Sequence, residues 1–401
     1  MWLLLALLYI LAVSLAGCGG GGSDGGGSET PPTPAAITFE KTLGGAENDT
    51  ASQVLLTDDG GYIVVGTTGS FGAGGSDVYL VKLDAGGNIV WEKTYGGEDD
   101  EEGRSIARTT EGGFIIAGRR SAHVYLIKIS GDGNTLWERI YDEFEGYANA
   151  VQQTSDNGYI LTGSVLNPDY QASYGLLVLK LDKNGDIIWK INSFPGFAIS
   201  GGHSIIKSAD GGYIVTGRYN WFAIGGGSQY FPGILLRKLS SSGEWLWNDT
   251  SLEIHDLNCD GVNSIRRTPD GEYVLTGQPY SSSDIGLYLA KITDEGDISW
   301  ERSYGKTNND TGNSVWVTSD GGYIVAGATY ISGSGDVYLV KTDDQGELLW
   351  EKIYGGSEDD VGMSVLQAAD GGYMIAGYTN SFGVGESDIY LIKTDSNGNV
   401  E

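Results

Sequence analysis

The last fifty or so residues show the pattern that organises the chain. An alternating run at 363–368 is broken by Asp370-Gly371-Gly372, and a mainly apolar run follows at 373–379. A glycine-rich break at 380–387 leads to a third run at 388–394, and 395–399 (DSNGN) turns the chain toward a fourth. Short runs rich in β-branched and aromatic residues, bounded by Gly, Asn and Asp, predict strands. Glycine in the tight breaks supplies the positive φ that hairpin turns need.

This four-strand unit recurs, phased on one aromatic at Phe39, Trp91, Trp137, Trp189, Trp247, Trp300 and Trp350, with spacings of 52, 46, 52, 58, 53 and 50. Units of that length which cannot bury a sheet alone must stack on their neighbours, as propeller blades do. The last copy lacks its fourth strand, and residues 37–43 (ITFEKTL) match the fourth-strand segment 90–95 (VWEKTY). The expected fold is therefore all-β: a seven-bladed β-propeller of four-stranded blades over residues 37–401, closed by the N-terminal strand pairing in the last blade. Closure would leave no open sheet edge.

Before residue 37 the pattern changes. An apolar stretch at 2–16 ends in Leu15-Ala16-Gly17-Cys18 and is followed by GGGGSDGGGSETPPTPAA. The stretch is too short for a transmembrane helix and resembles a bacterial lipoprotein signal. The resemblance implies a signal peptide at 1–17, lipidation at Cys18, a flexible tether over 18–36, and a lipid-anchored place in the cell envelope on its periplasmic or extracellular side. With Cys18 acylated, Cys259 has no intrachain partner.

Composition narrows the function. The 65 Gly against 8 Pro fit many tight turns between strands. The net charge of −29 makes nucleic acid an unsuitable partner, because that affinity comes from basic groups on phosphates. The repeated DGG and its variants, at Asp59, Glu111, Asp156, Asp210, Asp270, Asp320 and Asp370, read as turn chemistry, and the repeated Trp as blade packing. The loop at 182–186 (DKNGD) lacks the ligand spacing of an EF-hand. The three histidines, His123, His203 and His255, lie in different units without metal spacing, and no HExxH or GxSxG pattern occurs.

The KxDxxGxxxW core (Lys82, Asp84, Gly87, Trp91; Lys341, Asp343, Gly346, Trp350) with DGGYIVxG resembles the tryptophan-docked propeller repeats of the quinoprotein alcohol dehydrogenase-like superfamily. It is also similar to seven-bladed bacterial and archaeal surface repeat proteins. The resemblance implies the fold. The dehydrogenase activity of that superfamily uses a neighbouring cysteine pair and a metal-bound cofactor, which Cys18 and Cys259 do not match.

Two sites are expected on the face that carries the loops before the first strand and between the second and third. An acid recurs before the first strand at Asp49, Glu101, Asp260, Asp310 and Asp360. Carboxylates there would ring the mouth of the central channel, as a solvated rim or as ligands to a hard cation such as Ca²⁺; no other cofactor is expected. Gly146 and Ser200 break that pattern, and long aromatic loops lie near them: Tyr170 and Tyr174; Phe194 and Phe197; Trp221, Phe222, Tyr230 and Phe231. Clustered aromatics suit a binding platform or cap an enlarged blade. The expected function is a monomeric, non-enzymatic envelope propeller that binds a protein or polysaccharide on the cell surface. The alternatives are a glycan-processing or redox enzyme on the same scaffold, and a structural envelope protein.

Overall fold

Every regular element among the described residues is a β-strand. The computed structural model describes residues 36–169, 173–193, 199–222, 230–247, 259–279, 286–305, 307, 309–331 and 333–401. The chain divides into Met1–Ala35 and Ala36–Glu401, so the signal, Cys18 and nearly all of the tether lie outside the described residues.

The strands, numbered along the chain, are β1 (Phe39–Leu43), β2 (Asp49–Leu56), β3 (Tyr62–Thr68), β4 (Asp77–Leu83), β5 (Ile89–Tyr95), β6 (Glu101–Arg108), β7 (Phe114–Arg120), β8 (His123–Ile129) and β9 (Thr135–Gln153). There follow β10 (Tyr159–Leu166), β11 (Tyr174–Leu181), β12 (Ile187–Ser193), β13 (Ile199–Lys207), β14 (Tyr213–Phe222), β15 (Tyr230–Leu239), β16 (Cys259–Arg267), β17 (Tyr273–Pro279) and β18 (Leu287–Ile292). The remainder are β19 (Ile298–Tyr304), β20 (Thr311–Val317), β21 (Tyr323–Thr329), β22 (Asp336–Thr342), β23 (Leu348–Tyr354), β24 (Asp360–Gln367), β25 (Tyr373–Thr379) and β26 (Asp388–Lys393).

All pairings are antiparallel between successive strands, with one exception: β1 pairs with β26, matching Phe39 to Lys393 and Leu43 to Ile389. The strand at the beginning of the folded unit thus completes the sheet β1-β26-β25-β24 at its end. The nineteen-residue β9 pairs with β8 through its first part and with β10 through its second, which fuses β6 to β12 into one seven-stranded sheet.

The core lies between neighbouring sheets. The middle strands are apolar on both faces, and β4 is buried along its whole length. Outer strands such as β5 keep one side in water. One hydrophobic cluster unites Val54, Val64 and Val81 with Leu366, Met374 and Leu391, joining the two ends of the unit.

The recurrent aromatic packs on its neighbour's turn. Gly133, at φ +74°, lies so close under Trp91 that an added Cβ would meet the ring at 3.0 Å. The same contact joins Trp137 to Gly185, Trp300 to Gly346, Trp350 to Gly398 and, through β1, Phe39 to Gly87. Four residues after the aromatic, a tyrosine hydroxyl donates to that glycine's carbonyl, as from Tyr95 to Gly133 at 2.7 Å and Tyr354 to Gly398 at 2.6 Å. The spacing KxDxxGxxxW is therefore one docking unit, with the glycine receiving one blade's aromatic and the tryptophan reaching the next blade.

The DGG acids do more than turn the chain. Lys82, Lys180, Lys341 and Lys393 reach Asp59, Asp156, Asp320 and Asp370 at 2.8, 2.8, 2.9 and 2.9 Å, with the lysines nearly out of solvent. A buried ammonium needs such a partner. The repeated lysine and the repeated acid are one pair.

Candidate functional site

Each innermost strand carries a bulge at an equivalent place, and β16 has a second irregularity between Cys259 and Gly261. In β2, β6, β9, β13, β16, β20 and β24 the register slips past Ser52, Arg104, Asn149, His203, Asn263, Asn313 and Met363 respectively. A β-bulge leaves its extra residue unpaired and re-aims it. Here all seven of these residues line the same two cavities, one of about 920 Å³ toward the loops and one of about 660 Å³ toward the DGG turns. They form the waist of an axial channel.

The waist is held by hydrogen bonds that pass from strand to strand. Arg104 Nη1 donates to Asn149 Oδ1 at 3.0 Å, and Asn149 Nδ2 to the Gly202 carbonyl at 2.9 Å. His203 Nδ1 meets Asn263 Oδ1 at 3.1 Å, while Asn263 and Asn313 donate to the carbonyls of Gly312 and Gly362, both at 3.0 Å. Burial, with Arg218 and Arg104 nearby, holds the His203 pKa below the ordinary imidazole range despite the Asn263 bond. One position further on, a serine accepts the next strand's freed amide: Ser105 from Val151, Ser264 from Val315, Ser314 from Val365 and Ser364 from Val54. The last of these crosses from the final sheet to the first.

The loop-side cavity is lined by Glu47, Asn48, Gly69, Ser76, Glu102 and Tyr147 above the waist. Glu102 accepts from Arg104 at 2.7 Å and also from Arg119, and the Arg104 guanidinium stacks 4.2 Å from the Tyr147 ring centre. Tyr174 packs against Tyr147 at 6.1 Å between centres. Phe71 and Phe382 stand exposed on the loops after β3 and β25.

The expectation that the recurrent acids ring the channel mouth is not met. Asp49, Glu101, Asp310 and Asp360 are fully buried, folded inward as clamps on their own loops. Asp49 Oδ2 accepts from the Gly45 amide at 2.7 Å and the Ser70 hydroxyl at 2.6 Å; Asp360 Oδ2 accepts from Gly356 and Ser381 at 2.7 and 2.8 Å. Asp310 serves Thr307, Thr329 and Tyr330 in the same way. Glu101 accepts from Gly97 at 3.1 Å and lies 3.0 Å from Arg120 Nε. Burial raises the Glu101 pKa, opposed by Gly97 and Arg120. Asp260 lies on β16 with its side chain outside the described residues. Among the described residues no group of three or more His, Cys, Asp or Glu is placed to hold a metal ion. The physical reason is local: loop amides and hydroxyls freed between two strands need an acceptor, and in Asp49 and Asp360 one carboxylate oxygen takes them while the other stays buried without a hydrogen bond.

Of the aromatics read as platform residues, Tyr170, Phe194 and Phe197 lie outside the described residues. Trp221 and Phe222 belong to β14, paired with Phe231 and Tyr230 of β15, so these four extend a hairpin rather than a loop. Aromatics favour strands for the same reason they favour surfaces of contact. Tyr174 is brought to the channel's loop side, through Tyr147. The waist residues and Tyr147 were not singled out from the sequence. The signal, at four of the seven waist positions, is a glycine before and a serine after, around Arg104, His203, Asn313 and Met363.

No family model and no curated protein sequence matches the chain. Solved structures do: YCF48 bound to D1 peptide, at 12% identity with TM-score 0.52, covers 92% of this chain and 99% of its own. The Pan2 WD40 domain of Neurospora crassa, also at 12% identity, has TM-score 0.50 and covers 92% of this chain and 100% of its own. At this identity the likeness shows the fold, a β-propeller.

Proposed function

We propose that this chain is a non-enzymatic, lipid-anchored envelope propeller of seven blades that binds a partner protein or polysaccharide at the loop side of its axial channel. The observation that carries the reading is the loop-side cavity. Tyr147, Arg104, Asn48 and Ser76 offer aromatic, charged and amide groups to a space of about 920 Å³, over a waist fixed by hydrogen bonds, and rigid presentation lowers the entropic cost of binding. The propeller YCF48 was solved with a peptide bound, which favours a protein segment over a glycan.

Seven bulged innermost strands and seven inter-sheet cores among the described residues support the blade count. On this reading β9 belongs to two blades, and β1 supplies the outer strand of the last. The lipid anchor is supported by Leu15-Ala16-Gly17-Cys18 and the glycine-rich stretch behind it.

Peptide and glycan arrays probed with the purified protein test the binding reading. Tyr147→Ser with Phe71→Ser on the loop side is expected to weaken the captured ligand about tenfold or more at unchanged melting temperature, as loss of an aromatic anchor does. Asp132→Ser, in the turn between β8 and β9, should leave it unchanged. Equal binding by all three proteins would sink the proposal.

A further inference from the structure

Charge is distributed unevenly along the channel. The chain carries 53 Asp and Glu against 24 Lys and Arg. Yet below the waist the described lining residues include Arg104, Arg108, Lys207 and Arg266 and no Asp or Glu. A cavity of one sign with low-dielectric walls focuses its field and concentrates counter-ions.

Two of those cations already have anions: Arg104 meets Glu102, and Arg108 meets Asp58. The other two have none among the described residues. Arg266 lies 5.7 Å from the Trp316 ring centre, and its one hydrogen bond among the described residues runs from Nη1 to the Ile265 carbonyl at 3.1 Å. Trp316 is itself wedged against two cores, which fixes the shelf on which the guanidinium rests. Burial among its neighbours lowers the Arg266 pKa from its ordinary value. Lys207 is exposed at the same cavity and makes no hydrogen bond or ion pair among the described residues.

We infer that the turn-side half of the axial channel is an oxyanion-binding site, with Arg266 and Lys207 as donors to a small ligand bearing carboxylate or phosphate groups. A planar guanidinium on an aromatic shelf presents its remaining N–H groups in the fork that such oxygens match. The space of about 660 Å³ suits a small molecule rather than a folded partner. Acids on the DGG turns around it do not oppose entry, because Asp59, Asp156, Asp320 and Asp370 are neutralised by their lysines. This site is separate from the loop-side one and stands or falls independently of it.

The test is calorimetric titration of the full chain with inorganic phosphate and with citrate, at ionic strength held constant with chloride. Saturable binding of at least one of the two is expected. Lys207→Gln and Arg266→Gln are each expected to weaken it about tenfold or more, the usual loss for a charged hydrogen bond. Lys207 has no described partner to lose, so its variant keeps the test valid even if Arg266→Gln perturbs folding. Tyr147→Ser should bind the anion as the parent does. Absence of saturable binding by the parent, or equal affinity in the Lys207 and Arg266 variants, overturns the inference.

Discussion

Replacing Phe39 by Ala tests the seam where the two ends of the folded unit meet. Phe39 is 8% exposed, belongs to the cluster joining the first and last sheets, and covers Gly87. Lys41 reinforces it, donating to the Gly87 carbonyl at 2.6 Å from 5.0 Å above the Phe39 ring. Phe→Ala in cores costs about 3–5 kcal/mol; at the rim of the disc, where neighbours can partly relax, the lower value of about 3 applies. With an unfolding entropy of about 2.1 cal/mol/K per residue over roughly 365 residues, that is a fall of about 4 °C in melting temperature. Calorimetry reads the shift, and limited proteolysis reads its place, since cleavage should move to residues 36–43 before any other site. Phe39→Trp should keep the parent value, because Trp91, Trp137, Trp189, Trp300 and Trp350 sit on the same kind of glycine turn. An unchanged midpoint, or a loss of stability with 36–43 still protected, would refute the claim that β1 closes the structure.

Two further outcomes follow from contacts already described. Gly133 and Gly112 share a left-handed φ, +74° and +84°, but a Cβ meets Trp91 at 3.0 Å in the first and nothing within 4 Å in the second. Gly112→Ala should cost about 1 kcal/mol for backbone strain alone and Gly133→Ala about 2–3 kcal/mol; equal losses in urea titrations would mean that the aromatic docking contributes nothing. In acid, Asp270 is held down to about 2, chiefly by Lys291 and Thr268. Its folded pKa is below the unfolded value of about 3.9, so its contribution is complete above that value and is lost as the pH falls from about 4 toward 2. Asp270→Asn should flatten the melting-temperature profile in that window, and an unaltered slope there would contradict the pairing.

The period, the strands and the closing role of residues 37–43 were legible because burial between two sheets forces continuous apolar runs, while tight turns force glycine at fixed offsets. The tryptophan was legible as packing for its size alone. The acids were not, because a carboxylate at a recurring position says nothing about which way it folds. The clue was Gly45, Gly97 or Gly356 four residues before it, a loop amide awaiting an acceptor. The channel waist was hidden for the opposite reason. Three of its seven residues are asparagine, but Ser52, Arg104, His203 and Met363 share no chemistry with them or with each other, and it is the slip in register that places all seven on the axis. Gly146, read as a broken acid, has a plain account: it sits within β9, where no loop exists to be clamped.

That uninterrupted strand bears on motion. At other described joins the outer strand of one sheet reaches the next through a loop, as between Leu43 and Asp49 or between Tyr354 and Asp360, so neighbouring sheets can pivot about a few unpaired residues. Along β9 the backbone is laddered from one sheet into the next. Breathing of the disc should therefore be unequal around its circumference. The sector from β6 to β12 should move as one plate, with excursions concentrated at the joins made through loops, such as Leu43 to Asp49.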